Sequence, residues 1–457
     1  MILIGLSACR VSPTSLHVSL PIPAEWKNSA HFPVASPSRD LSRWWNRFED
    51  PTLSRIISIA LKNSPDMASA SARIKESRAR RNSTGASLFP SLSSSASTNS
   101  STSDRERFGR NSDTSYSAGL NASWEMDLFG KVRSEIEADS ARLGASEENF
   151  NSVQASLAAE IAIAYTNLRA DQAELEILLG NVKTREDTSQ LASWRTQAGE
   201  ADALESSQAL SSLEQARASV PLLQQRISQA RNLITLLSGN PPGSIDNVLS
   251  SGKKTIPNPP RSLAVGIPAD TLRQRPDVRI AGYQLLVAAA STRAADAQRY
   301  PSLKLSGSLG LNTLAASKLF NPETATAGII AGISSPIFDA GRIRSNIEAQ
   351  SAAEEQAYQT YRSTVLTALS EVEDSLIACR RTAERLEILQ KATTSAREAD
   401  KIARQRYETG EIDFVSVLDT QRSLLGLESN LLSVRADRTI AYIQLYKGLG
   451  GGWSAGS

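Results

Sequence analysis

The side chains able to do chemistry are few in this chain, and they are scattered. Among 457 residues there are two cysteines and two histidines. Cys9 ends a short apolar run, Met1 to Ala8, while Cys379 falls on an apolar position of a helical pattern, where a thiol reads as a small core residue. His17 and His31 lie in the Pro-rich first forty residues, and no His, Cys and carboxylate set has the spacing of a metal site. There is no nucleophile elbow, no glycine loop fit to cradle phosphate, and no carboxylate pair in a setting that raises a pKa. The expectation is a protein that is not an enzyme and uses no cofactor. Lys and Arg number 50 against 48 Asp and Glu, with no basic block or aromatic-interleaved basic stripe, so no nucleic-acid partner is expected. No stretch of about 18 apolar residues is present, so no transmembrane helix is expected.

The polar residues that do recur come in pairs, 211 residues apart. Pro65-Asp66 matches Pro276-Asp277, Phe89-Pro90-Ser91-Leu92 matches Tyr300-Pro301-Ser302-Leu303, and Ala198-Gly199-Glu200 matches Thr409-Gly410-Glu411. Gly130-Lys131 matches Gly341-Arg342, and Asp202 matches Asp413. The register needs no gap from about residue 57 to 239, so the chain reads as two copies of one unit. The expected layout is a leader at 1–9, an extended segment at 10–40, a first repeat at 41–239, a linker at 240–266, a second repeat at 267–450 and a tail at 451–457.

Each repeat is expected to hold a short helix, two strands, a very long helix and a long returning helix. Strands are expected at about 91–102, 114–127, 301–313 and 325–337. In Thr114 to Asp127, Tyr116, Ala118, Leu120, Ala122, Trp124 and Met126 alternate with polar or small residues, the period of a strand with one apolar face. Ser91 to Thr102 is Ser-rich and barely patterned; the repeat register is what assigns it as a strand. These lengths suit a tilted crossing of a bilayer. Four strands cannot close a barrel, and open edges in lipid would leave backbone groups unpaired. Closure is therefore expected from several chains; three would supply twelve strands, although four strands alone would also suit a dimer.

The long helices are expected at about 130–198, 202–238, 341–409 and 413–449. The first and third are proline-free and on the order of 100 Å long if continuous. Apolar residues recur at spacings of three and four, as in Leu157, Ile161, Ala164 and Leu168, or Val365, Leu369, Val372 and Leu376, which makes a heptad seam with charge elsewhere. Pro221 interrupts the second long helix and is expected to kink it. The two turns, Arg195 to Asp202 and Arg406 to Asp413, carry glycines (Gly199, Gly410) suited to left-handed caps and aspartates (Asp202, Asp413) suited to N-caps. Asp202 with Glu205 has the spacing of a capping box.

The run Arg406-Tyr407-x-x-Gly410-x-x-Asp413-Phe414-Val415-x-Val417-Leu418-Asp419-x-Gln421-Arg422-x-Leu424-Leu425 resembles the signature of the TolC superfamily of outer-membrane efflux proteins, in its NodT/OprM-like lipoprotein branch. The resemblance covers about Leu41 to Gly450. It implies a mainly α fold with membrane β: a duplicated long-helix coiled-coil α-barrel, plus four β-strands per chain completing a 12-stranded β-barrel in a homotrimer. It further implies an outer-membrane duct, contacting outer-membrane lipid and docked through a periplasmic adaptor, or membrane fusion protein, on an inner-membrane pump. By position, an acidic constriction falls on Asp419, with Ser416 where some relatives carry a second Asp. Tyr407 and Glu205 fall on tip-latch positions, and Ile412 stands where one branch has a latch arginine. The tip turns Gly199, Asp202, Gly410 and Asp413 are the expected adaptor-docking points. Leu6-Ser7-Ala8-Cys9 resembles a lipobox, which makes Cys9 the expected lipidation site and Arg10 compatible with the outer membrane; the missing basic n-region suggests a start upstream of Met1. The duct of a type I protein-secretion system and a non-conducting periplasmic coiled-coil scaffold are the alternative readings.

Overall fold

A computed structural model of the chain describes residues 22–28, 41–105, 109–252, 254–260 and 268–453. Cys9, His17 and His31 lie outside them. The first repeat holds α1 (Pro51–Asn63), α2 (Pro65–Ala86), β1 (Ser91–Arg105), β2 (Gly109–Met126), α3 (Lys131–Ala198) and α4 (Ala203–Leu237). A short α5 (Asp246–Ser250) follows, and the second repeat comprises α6 (Pro268–Gln274), α7 (Pro276–Asp296), β3 (Ser302–Thr313), β4 (Ala325–Ser334), α8 (Arg342–Glu408) and α9 (Phe414–Gly448). Asp50 starts α1 by accepting from the N–H groups of Thr52 and Leu53, and Ser64 starts α2 by accepting from that of Asp66.

The four strands form one antiparallel sheet in the order β1-β2-β3-β4. Its register repeats the sequence offset: Ser91 pairs with Ser123, and 211 residues on, Ser302 pairs with Ser334. Residues opposite one another share a face. Leu120, Leu309 and Ala327 line up across one face, as do Trp124, Leu305 and Ala331. On the other face Asn121, Ser308 and Gly328 line up, with Glu125, Lys304 and Gly332 further along. Hydroxyls dominate this polar face, and Ser97 and Ser117 hydrogen-bond across it at 2.8 Å. The first hairpin is longer than its alternation suggested, because backbone pairing continues out to Arg105 and Gly109. β4 stops at Ser334, short of the expected 337, just before Pro336, which lacks the N–H a ladder needs.

The main core lies where α1, α3, α9 and the segment around Trp44 meet. Trp44 is fully buried and stacks on Tyr446 with centroids 5.8 Å apart and planes 10° from parallel. Leu53, Ile56, Ile57, Tyr165, Leu168 and Ile443 belong to the same cluster. So does Cys379, and burial pushes its thiol up to about 12. The described α5 between the repeats is seated on the first: Leu249 is buried, and its carbonyl accepts from Arg169 at 3.0 Å. The segment holding Trp26 crosses to the second repeat, where the Lys27 N–H and the Asn28 amide donate to Glu373 at 2.7 and 2.6 Å.

Pro221 sits on an exposed face inside an unbroken α4. The carbonyl it leaves without a donor is that of Arg217, an exposed residue, and the helix continues past the proline. Among the described residues no helix is long and apolar enough to cross a membrane, and no cluster of metal-ligating side chains is present.

Candidate functional site at the helix turns

The two turns are built alike. Gly199 and Gly410 both take a φ of 77°, the left-handed conformation a glycine adopts without strain. The N–H of Glu200 reaches back to the Arg195 carbonyl at 2.9 Å, and that of Glu411 to the Arg406 carbonyl at 2.8 Å. Asp202 then accepts from the Leu204 N–H, and Asp413 from the N–H and hydroxyl of Ser416, at 3.0 and 2.6 Å. The donations from Ser416 hold the Asp413 carboxyl below the usual carboxylate range.

Glu205 departs from the capping-box expectation. Its carboxylate does not turn back on Asp202; it accepts the hydroxyl of Tyr407, 202 residues away. The stronger claim on it comes from a buried donor, because Tyr407 is only 1 % exposed. Arg195 completes the contact, its guanidinium 4.8 Å from the Tyr407 ring centroid and its Nη1 donating to the Tyr407 carbonyl at 3.2 Å. Phe414 packs on the ring from the next helix, centroids 6.0 Å apart, with Ala192, Ala209, Val417 and Leu418 around it. Burial, then the neighbouring Glu205 carboxylate, pushes the Tyr407 phenol well above its ordinary value, so it stays a neutral donor.

The first turn is thus tied to the second through one aromatic ring, with an anion at its hydroxyl and a cation over its face. Behind the turns, Gln421 donates to Thr188 at 3.3 Å between α9 and α3, and Arg185 donates to the carbonyl and hydroxyl of Ser212 at 3.0 and 2.6 Å. Burial, with Arg422 nearby, holds the Arg185 guanidinium below its usual pKa. Asp419 lies a turn and a half into α9, exposed, and among the described residues forms no hydrogen bond or ion pair. Ser416 is engaged by Asp413 and stands apart from the Tyr407 contact. Motif position does not single out Arg195; its recurrence as Arg406 in the matching turn is the signal the sequence offers for it.

A profile of the outer membrane efflux protein family matches residues 56–240 and 267–451, one span for each repeat. The chain is 30% identical over 459 residues to the solvent efflux pump outer membrane protein SrpC of Pseudomonas putida, covering 99% of this chain and 97% of that one. It is 28% identical over 451 residues to the cation efflux system protein CusC of Escherichia coli, covering 98% and 97%. Among solved structures it resembles the outer-membrane channel OprN, with a TM-score of 0.87 at 31% identity, covering 95% of this chain and 98% of that one. It also resembles the open state of the MtrE outer membrane channel of Neisseria gonorrhoeae, with a TM-score of 0.78 at 27% identity, covering 95% and 98%. The fold and these likenesses therefore define an outer-membrane efflux channel protein. The chain belongs to the outer membrane efflux protein family, and its work is efflux across the bacterial outer membrane.

Proposed function

We propose that this chain is one third of a homotrimeric exit duct that passively conducts small toxic solutes handed to it by a periplasmic adaptor and an inner-membrane pump. The observation that carries the reading is the sheet. Its two outer strands, β1 and β4, have one ladder side each without a partner among the described residues, while one face is apolar from Tyr116 to Met126 of β2 and from Leu303 to Leu311 of β3. A sheet placed in lipid must satisfy those edges, and only closure with further copies does so. Twelve strands make a barrel with the hydroxyl face toward a water-filled lumen. The helices α3, α4, α8 and α9 extend it as a tube on the periplasmic side.

In this reading the paired turns Gly199 to Asp202 and Gly410 to Asp413 are the docking points for the adaptor, and the turn contact through Tyr407 keeps the tip narrow. Asp419 of three copies forms an acidic ring that favours cations and is blocked by them. Cys9 carries a lipid that holds the N-terminal segment to the outer membrane. Purified protein in planar bilayers tests the duct: single-channel currents with cation preference are expected, and Asp419→Ala should lower that preference and relieve divalent block. Absence of channel currents from protein that is folded by circular dichroism would remove the conducting reading. Palmitate labelling of the chain, lost in Cys9→Ser, tests the anchor.

A further inference from the structure

Where arginines bridge the two long helices of one repeat, they meet carboxylates. Arg217 of α4 pairs with Glu186 of α3 at 2.9 Å, and Arg226 with Asp171. In the second repeat Arg397 of α8 pairs with Glu428 of α9 at 2.7 Å. Arg185 bridges α3 and α4 as well, yet it meets no acid. It is 8 % exposed, and its Nη1 donates to the carbonyl and hydroxyl of Ser212. Both acceptors are neutral, and a guanidinium keeps its charge.

The other edge of that guanidinium, formed by Nε and Nη2, is the one that takes two oxygens of a single planar acid. Nε is buried without a hydrogen-bond partner, and Nη2 donates to nothing among the described residues. α9 lies on the third side. One turn nearer the tip, Gln421 donates to Thr188 and holds α9 against α3. Arg422 follows directly; it is exposed, forms no ion pair among the described residues, and its charge acts on Arg185. The acids next in sequence do not answer either cation. Glu186 is held by Arg217, while Asp187 and Asp419 are exposed and unpaired among the described residues.

Two cations therefore stand together with no acid among the described residues to balance them. Burying a charge without a counter-charge is costly, and a like charge alongside adds to the cost. An anion in the cleft removes both costs at once. We propose that the cleft bounded by α3, α4 and α9 binds a small oxyanion (phosphate, sulfate or a carboxylate) on the Nε–Nη2 edge of Arg185, with Arg422 as the second cation. Two parallel N–H groups match two oxygens of one group, which favours an oxyanion over a halide.

The duplication separates this pair from the parts that build the fold. The turn glycines and capping aspartates recur 211 residues on, but Arg185 corresponds to Ala396 and Arg422 to Ser211. The second repeat forms the same pair of long helices with neither cation at those positions. A bound oxyanion ties α9 to the α3–α4 pair just behind the contact through Tyr407, so it fastens one repeat to the other at the end where the turns meet.

Equilibrium dialysis of the full chain in detergent against radiolabelled sulfate, in excess sodium chloride, tests this. One saturable site per chain is expected, and Arg185→Gln should abolish it. Arg185→Lys keeps the charge but loses the two-donor edge, and Arg422→Gln loses the second cation. Each should weaken binding about 10-fold or more, the equivalent of one charge-assisted hydrogen bond. Arg217→Gln removes an arginine already paired with acids and should bind sulfate as the unsubstituted chain does. Sulfate should also raise the denaturant midpoint of the unsubstituted chain above that of Arg185→Gln, beyond the general salt effect both share. No saturable uptake by protein that is helical by circular dichroism, or equal uptake by Arg185→Gln, overturns the site. Full binding by Arg185→Lys overturns the two-donor assignment and leaves only a diffuse basic patch.

Discussion

Replacing Tyr407 by phenylalanine removes one oxygen from the contact between the turns and nothing else. The ring keeps its place among Ala192, Phe414 and Val417, and Arg195 keeps a π face to sit over. What goes is the donor to Glu205. A hydrogen bond to a charged acceptor contributes about 1.5–3 kcal/mol. Glu205 is half-exposed and regains water when released, so a value at or just below the bottom of that range, about 1–2 kcal/mol, applies. At roughly 1.4 kcal/mol per factor of ten, the balance between tied and released turns shifts about 5- to 30-fold per chain. The assay is single-channel recording in planar bilayers, comparing open probability and main conductance of the unsubstituted protein, Tyr407→Phe, Glu205→Ala and the double substitution. The two single variants should each raise open probability, and the double should match either alone, because both delete the same bond. Wild-type gating in Tyr407→Phe alongside a leaky Glu205→Ala would refute the reasoning, since Glu205 would then act through some other partner.

Arg275 is buried and joins three elements, donating to Asp277 and Glu371 at 2.6 Å each and to the Gly448 carbonyl at 3.1 Å. Arg275→Met should cost about 2–3 kcal/mol, read as a lower denaturant midpoint. Asp277 is desolvated, yet bonding to Arg275 leaves its pKa below the ordinary value. A depressed carboxyl contributes stability above the unfolded pKa of about 3.9 and loses it as pH falls through the folded value, so melting temperature should drop on acidification below about pH 4, and Arg275→Met should flatten that limb. Trp44→Ala empties a site stacked on Tyr446 and should cost about 3–5 kcal/mol, visible in the same titration together with loss of near-ultraviolet dichroism. Gly410→Ala, at a φ of 77°, should cost about 1–2 kcal/mol and leave the helices intact by far-ultraviolet dichroism, whereas the same change at helical Gly426, which has open space around it, should be neutral or stabilising.

Most of the architecture was legible because it is written twice. Ser91 to Thr102 has almost no strand pattern, yet its counterpart Ser302 to Thr313 does, and the matched register in the two hairpins repeats the offset read from glycines and prolines. The turns were legible because left-handed glycines and capping aspartates leave local marks. What local pattern missed was non-local. Glu205 carries a strong local signal for a capping box, and only the family resemblance, by setting it with Tyr407 at tip-latch positions, pointed toward the partner 202 residues away. Arg275 corresponds to Ser64 in the first repeat, so the duplication gave no hint of a hub there. α5 is five residues long, too short for periodicity to register, and holds its place through Leu249 and Arg169 rather than through its own pattern.

The hydrogen bonds from Lys27 and Asn28 to Glu373 carry a consequence for the order of events in building the molecule. Lys27 and Asn28 are made before either repeat, and the carboxylate that receives the Asn28 amide comes 345 residues later. Until α8 exists they have nowhere to go, so this early segment is fastened only after most of the chain has been made. Contacts of such separation form late because the intervening chain must be ordered first. The strap across Glu373 closes only on a chain in which α8 is in place.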